Sequence, residues 1–209
     1  MKTVLYIHGM GGGSDSRIPS ILNDALADVN VICRTYSFDP EEASAQIASW
    51  MSELKPDLVM GESLGCLHAL RQTDVPLILV SPALNAPVYF EVLAWLTLIP
   101  GVTWIFDRIY RPREGDRQPL HFTFRTLRKY RRHRKLALRA SLISSSSGHI
   151  HAFIGTRDHY LRSRIVSVKT WKKYFGSTFT LYDGTHFTEE EHIFSLVIPE
   201  ILNVLYNKK

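Results

Sequence analysis

The stretch that most constrains this chain runs Leu58-Val59-Met60-Gly61-Glu62-Ser63-Leu64-Gly65-Cys66-Leu67-His68. An apolar strand enters Gly-Glu-Ser-Leu-Gly and leaves as a helical pattern, the context that the motif G-x-S-x-G requires. The reason is steric. A serine on so tight a strand-to-helix turn leaves no room for Cβ atoms on either side. The turn lifts the Ser63 hydroxyl above a sheet and sets the Leu64 N–H and the start of a helix dipole beside it. A developing oxyanion would be stabilised there.

The N-terminal run Thr3-Val4-Leu5-Tyr6-Ile7 is continuous, apolar and of strand length, which suits a parallel strand buried on both faces. It ends in His8-Gly9-Met10-Gly11-Gly12-Gly13-Ser14. So many glycines let backbone N–H groups turn toward a ligand. Three readings meet here: a phosphate loop, the second half of an oxyanion hole, or a plain tight turn. No Walker lysine follows and G-x-G-x-x-G is not spelled. The presence of Ser63 favours the oxyanion reading.

The first eighty residues alternate. Helices are expected over 17–28, 40–54 and 64–71, and strands over 29–36, 57–60 and 76–81. Asp39 and Pro40 open the second helix. Such alternation predicts a mostly parallel sheet with helices on both faces, a three-layer sandwich with reactive groups beyond the carboxyl ends of its strands. After a break the pattern resumes with strands over 150–154 and 179–182 and a helix over 164–175, giving six strands. Thr188 is expected to cap a terminal helix over 189–205, with Glu191 at capping-box spacing. At 209 residues one domain suffices.

The break, 82–149, is expected to be a helical, lid-like insertion after the fourth strand. Its first half, 86–106, is very apolar and near the length of a membrane span. Glu91 and Pro100-Gly101 argue against spanning, so two shorter helices over the crevice are expected, with Phe90, Trp95 and Trp104 lining an apolar pocket. The second half is basic. Residues 108–139 hold twelve Lys or Arg against Glu114 and Asp116, while the rest of the chain holds thirteen against eighteen acidic residues. Residues 124–132 read as a basic amphipathic helix. Arg108–Arg139 therefore points to an anionic ligand or an anionic membrane surface, or simply to a solvated face. Nothing besides charge supports nucleic acid. Ser144 to Gly148 reads as a flexible connector.

Cys33 and Cys66 form neither a disulfide framework nor a metal-ligand spacing, and read as core thiols. With no leader-like segment before the first strand, a cytoplasmic protein is expected.

Ser63 after the third strand, Asp158 after the fifth and His186 after the sixth are three reactive types at one sheet edge. A serine hydroxyl is a weak nucleophile until a base takes its proton. An imidazole does so near neutral pH, and a carboxylate fixes its tautomer. Asp183 is an alternative acid, and His159 and His192 are competing histidines.

Residues 6–12, 61–65, 155–158 and 184–187 resemble the four signature segments of the α/β-hydrolase superfamily, and the short form is similar to compact YqiA-type bacterial esterases. The order Ser, Asp, His is that of this superfamily. The resemblance covers residues 1–81 and 149–209, not the insertion. It implies Ser63 as nucleophile, His186 as base, Asp158 as orienting acid, and the N–H groups of Leu64 and of Gly9 or Met10 as oxyanion hole. Cys66 departs from the usual small residue. The implied activity is hydrolysis of a small-molecule ester or thioester with an apolar acyl group, with no metal and no cofactor. The alternative is a non-catalytic or membrane-surface binding protein on a hydrolase fold.

Overall fold

The computed structural model describes residues 1–112, 115–144 and 149–207. Six strands form one sheet: β1 (Lys2–Ile7), β2 (Val29–Cys33), β3 (Leu58–Glu62), β4 (Leu77–Val80), β5 (Ile150–Gly155) and β6 (Phe179–Tyr182), in the order β2-β1-β3-β4-β5-β6. Every pairing is parallel.

Alternation along the strands sends side chains to two separate cores. Leu5, Ile7, Val59, Leu77 and Leu79 face one layer; Val4, Tyr6, Leu58, Met60 and Ile78 face the other. The first layer is built from α2 (Pro40–Leu54), α3 (Cys66–Ala69), α6 (Phe124–Ser144) and α7 (Val168–Phe175). The second is built from α1 (Arg17–Ala25) and the C-terminal helical run, which comprises α8 (Glu190–His192), a π-helical stretch over Ile193–Val197, and α9 (Ile198–Tyr206). The π stretch ends just before Pro199, which has no N–H to donate and whose ring crowds the carbonyl four residues back.

Local chemistry explains most boundaries. Asp39 caps α2, its carboxylate accepting from the Glu41 N–H at 2.9 Å, with Pro40 at the first helical position. α1 stops at Ala25, short of the expected 28, and β2 stops at Cys33, short of 36. The capping expectation for Thr188 is overturned. Thr188 is fully buried and its hydroxyl bonds the Tyr182 hydroxyl at 2.8 Å, while Glu189 stands at the cap position. Of the connector expected over 144–148, Ser144 is the last residue of α6 and 145–148 lie outside the described residues.

The insertion forms three helices: α4 (Ala86–Leu96), α5 (Val102–Ile109) and α6. α4 and α5 are separated at Pro100-Gly101, where Gly101 has a φ of 86°. The basic helix is longer than expected, spanning Phe124–Ser144. Its inner row, Leu127, Tyr130, Ala137 and Leu138, is buried in the first core, and it packs on α2, α3, α4 and α7. Most of its cations are exposed on the other side, as on any amphipathic core helix, while Arg134 falls in line with the inner row, half-buried, and donates to the Leu84 carbonyl and to Asn85 Oδ1, each at 2.7 Å.

Candidate active site

The sheet order reverses at β1, so the loops after β1 and β3 diverge and leave a crevice at the carboxyl edge. Both loops enter it. After β3 the chain makes a 3₁₀ turn, Ser63–Gly65, and then the single-turn α3. This is shorter than the helix expected over 64–71. Ser63 has a φ of 50°, a left-handed conformation that a serine adopts only under constraint. The constraint is packing. A Cβ on Gly65 would lie 2.3 Å from the His8 carbonyl oxygen, and one on Gly61 would lie 2.9 Å from the Cys66 Cα. Cys66 is fully buried beneath the turn.

The strained serine presents its hydroxyl to a histidine. Ser63 Oγ and His186 Nε2 are 2.9 Å apart, and His186 Nδ1 and Asp158 Oδ2 are 2.8 Å apart. Asp158 and His186 are buried. The second Asp158 oxygen accepts the Tyr160 N–H at 2.8 Å. With both carboxylate oxygens engaged and one facing Nδ1, the ring is held with its proton on Nδ1 and its lone pair toward the serine.

The loops carrying Asp158 and His186 are fastened together by main chain. Arg157 N–H donates to the Gly184 carbonyl at 2.9 Å and Thr156 N–H to the Tyr182 carbonyl at 2.8 Å. A Cβ on Gly155 would lie 2.3 Å from the Gly184 oxygen. The competing residues are elsewhere. Asp183 is exposed and pairs with Arg157 at 2.8 Å. His192 pairs with Glu189 at 3.3 Å. His159 lies tilted against Tyr160 and meets His186 only edge-on, with ring centroids 5.7 Å apart.

A cavity of about 360 Å³ opens over Ser63, and His186, Gly9, Met10 and Leu64 line it. The Gly9 backbone lies against the serine, so that a Cβ there would be 3.1 Å from Ser63 Cβ. The lining includes the apolar residues Ala83, Ala86, Phe90 and Ile165 and the polar residues Ser16, Arg17 and Arg117. Phe90 is among the lining residues. Trp95 and Trp104 are not among the lining residues. They are 60% and 64% exposed, on the outer faces of α4 and α5. Apolar composition alone does not tell which side of a short helix faces inward.

Two residues at the site escaped sequence reasoning. Tyr160 lines the cavity and meets His186 edge-on at 4.7 Å between ring centroids. Gln118, buried in the insertion, clamps the glycine loop. Its Oε1 accepts the Gly11 N–H at 3.1 Å, its Nε2 donates to the Tyr36 carbonyl at 3.1 Å, and its own N–H donates to the Gly12 carbonyl at 2.7 Å. Beneath the loop, His8 stacks on Tyr36 with centroids 4.2 Å apart, and burial lowers its pKa.

Among the described residues, metal-ligand types converge at His149, His151 and Glu200. They sit at the amino end of β5, the opposite sheet edge from Ser63, where His149 and Glu200 already pair at 2.6 Å.

Comparison with protein-family models and with curated protein sequences finds no match. Solved structures do match, and they show the fold. A monoacylglycerol lipase from Paleococcus ferrophilus is 17% identical, with 99% of this chain and 95% of that one covered at a TM-score of 0.63. Est1E from Butyrivibrio proteoclasticus, with ferulic acid bound, is 16% identical, with 100% and 90% covered at 0.68. A structure from work on the metagenome-derived lipolytic enzymes LipS and LipT is 13% identical, with 99% and 94% covered at 0.64. The chain has an α/β-hydrolase fold.

Proposed function

We propose that this protein is a serine hydrolase that cleaves a small carboxylic ester or thioester through an acyl-enzyme on Ser63. The observation that carries the reading is the hydrogen-bonded series Ser63, His186, Asp158, with spacings of 2.9 and 2.8 Å. Ser63 Oγ attacks the carbonyl carbon while His186 Nε2 takes its proton, and Asp158 stabilises the imidazolium. The oxyanion is met by the N–H of Leu64 and that of Gly9 or Met10, where loss of one such donor costs about 3–4 kcal/mol in other serine hydrolases. His186 then returns the proton to the departing alcohol or thiol. Water, deprotonated by the same nitrogen, adds to the acyl-enzyme and releases the acid.

Among the lining residues, Ala83, Ala86, Phe90 and Ile165 suit an acyl group, and Ser16, Arg17 and Arg117 suit a polar leaving part. The likeness to a monoacylglycerol lipase and to an enzyme holding ferulic acid supports small esters as the class. The resemblance to compact YqiA-type esterases agrees with the short chain.

The test is hydrolysis of p-nitrophenyl esters from acetyl to palmitoyl, together with acyl thioesters, by wild type and Ser63→Ala. Serine-dependent turnover with an optimum at short acyl chains is expected of a cavity of about 360 Å³. Absence of serine-dependent turnover throughout the series, with the protein folded, overturns the proposal.

A further inference from the structure

Among the described residues, more than half of the exposed large apolar side chains lie between 88 and 110. On α4, Val88, Tyr89, Val92, Trp95 and Leu96 are all exposed. Their spacing of one, four, seven and eight residues puts them on a single helical stripe that points away from the core. The inner residues of the same helix, Ala86 and Phe90, line the cavity over Ser63. The connection to α5 exposes Leu98 and Ile99, and α5 exposes Trp104, Ile105 and Ile109 while burying no residue fully. This inverts the usual amphipathic rule, and contiguous apolar surface of this kind marks an interaction site.

Cations border the stripe and are joined to it by contact. The Arg108 guanidinium lies over the Trp104 ring, 5.7 Å from its centroid. Trp95 meets Phe124 edge-on at 5.3 Å, and Arg128 lies over that same Phe124 ring at 5.7 Å. Arg131 pairs with Glu91 of α4 at 3.1 Å. Arg125, Arg128, Arg131 and Arg132 are exposed along α6. Among the described residues no helix is long and apolar enough to cross a membrane.

We propose that the α4–α5 segment docks onto an anionic lipid bilayer: the apolar stripe enters the interfacial layer, and the bordering arginines meet the phosphate headgroups. Tryptophan suits that layer because its ring is apolar and its N–H polar. Charge decides against a second copy of the chain as occupant. An isologous contact through the stripe brings two strongly basic rims together, at a repulsive cost, whereas an anionic bilayer neutralises one. The inference is independent of the chemistry at Ser63.

The experiment is co-sedimentation of the full chain with vesicles of phosphatidylcholine alone and of phosphatidylcholine with phosphatidylglycerol. Wild type pellets with the mixed vesicles and stays in solution with the neutral ones. Val92→Glu/Ile99→Glu lowers partitioning by at least about tenfold, and Arg125→Ala and Arg128→Ala lower it by about fivefold each. Ser63→Ala pellets like wild type, so a failed hydrolase assignment leaves this result unaffected. Circular dichroism checks that every variant is folded. Three results each overturn the proposal: wild type remaining in solution with anionic vesicles, Val92→Glu/Ile99→Glu partitioning like wild type, or a wild-type dimer in solution that this double substitution disperses.

Discussion

Gly65 and the His8 carbonyl are packed so closely that a Cβ on the glycine would lie 2.3 Å from the carbonyl oxygen. The loop that follows the first strand is therefore in contact with the turn that carries the serine, and neither moves without the other. Gly65→Ala is expected to destabilise the fold by about 3 kcal/mol, the upper end of overpacking, which for a chain of this size lowers the melting temperature by about 10 °C. A thermal melt checks it, with turnover measured in the same samples below the transition.

Asp158→Asn keeps the shape of the pair with His186 but removes the charge that fixes the tautomer. The expected loss in kcat is about 10⁴-fold, with little change in KM for a short ester. Steady-state kinetics on p-nitrophenyl acetate reads both numbers. Asp183→Asn, on an exposed side chain paired with Arg157, is expected to change neither.

Much of this was legible in the sequence, and the reasons are local. The runs at 4–7, 58–60 and 77–80 are buried at every position and built of apolar and aromatic side chains, because parallel strands covered on both sides need nothing else. The serine turn declares itself because its residues spell a short pattern, although the contact that demands Gly65 is with the Ile7 and His8 main chain at the end of the first strand. Gln118 was not legible, since its partner Gly11 is 107 residues away and no short pattern records the pairing. The inner row of α6 was hidden by charge, because Leu127, Tyr130, Ala137 and Leu138 are interleaved with eight cations between 125 and 139. Trp95 and Trp104 misled because composition gives apolarity without direction.

Gln118 is a positioning residue for the loop that offers Gly9 and Met10. Gln118→Leu leaves the Gly11 N–H and the Tyr36 carbonyl without their side-chain partner, at about 1–3 kcal/mol for each buried group. A merely structural role predicts a lower melting temperature and unchanged kcat at low temperature. A positioning role predicts that kcat falls there too, while KM for a short ester holds. Kinetics well below the melt separates the two.

Three buried histidines make the fold sensitive to acid. Burial lowers the pKa of His8, His68 and His133, the last to about 3 from an ordinary 6.5. The His133 ring lies tilted against His68 with centroids 4.3 Å apart and meets Tyr130 edge-on at 6.1 Å, and its Nδ1 accepts from Arg71 at 3.3 Å, so a proton there meets a cation. Between pH 6.5 and about 3 the unfolded chain holds a proton on His133 that the folded chain does not. Stability therefore falls with acidification in that window, by about 1.4 kcal/mol per pH unit for this residue, and is unaffected by it above pH 6.5. Urea melts at pH 7 and pH 5 check this, and His133→Leu is expected to flatten the difference.

The most direct test of the central claim is labelling with a fluorophosphonate, followed by peptide mass spectrometry. The account predicts one label per chain, on the peptide that contains Ser63, with none on Ser63→Ala and greatly slowed labelling of His186→Ala. Undiminished labelling of folded Ser63→Ala, or no labelling of folded wild type, contradicts it.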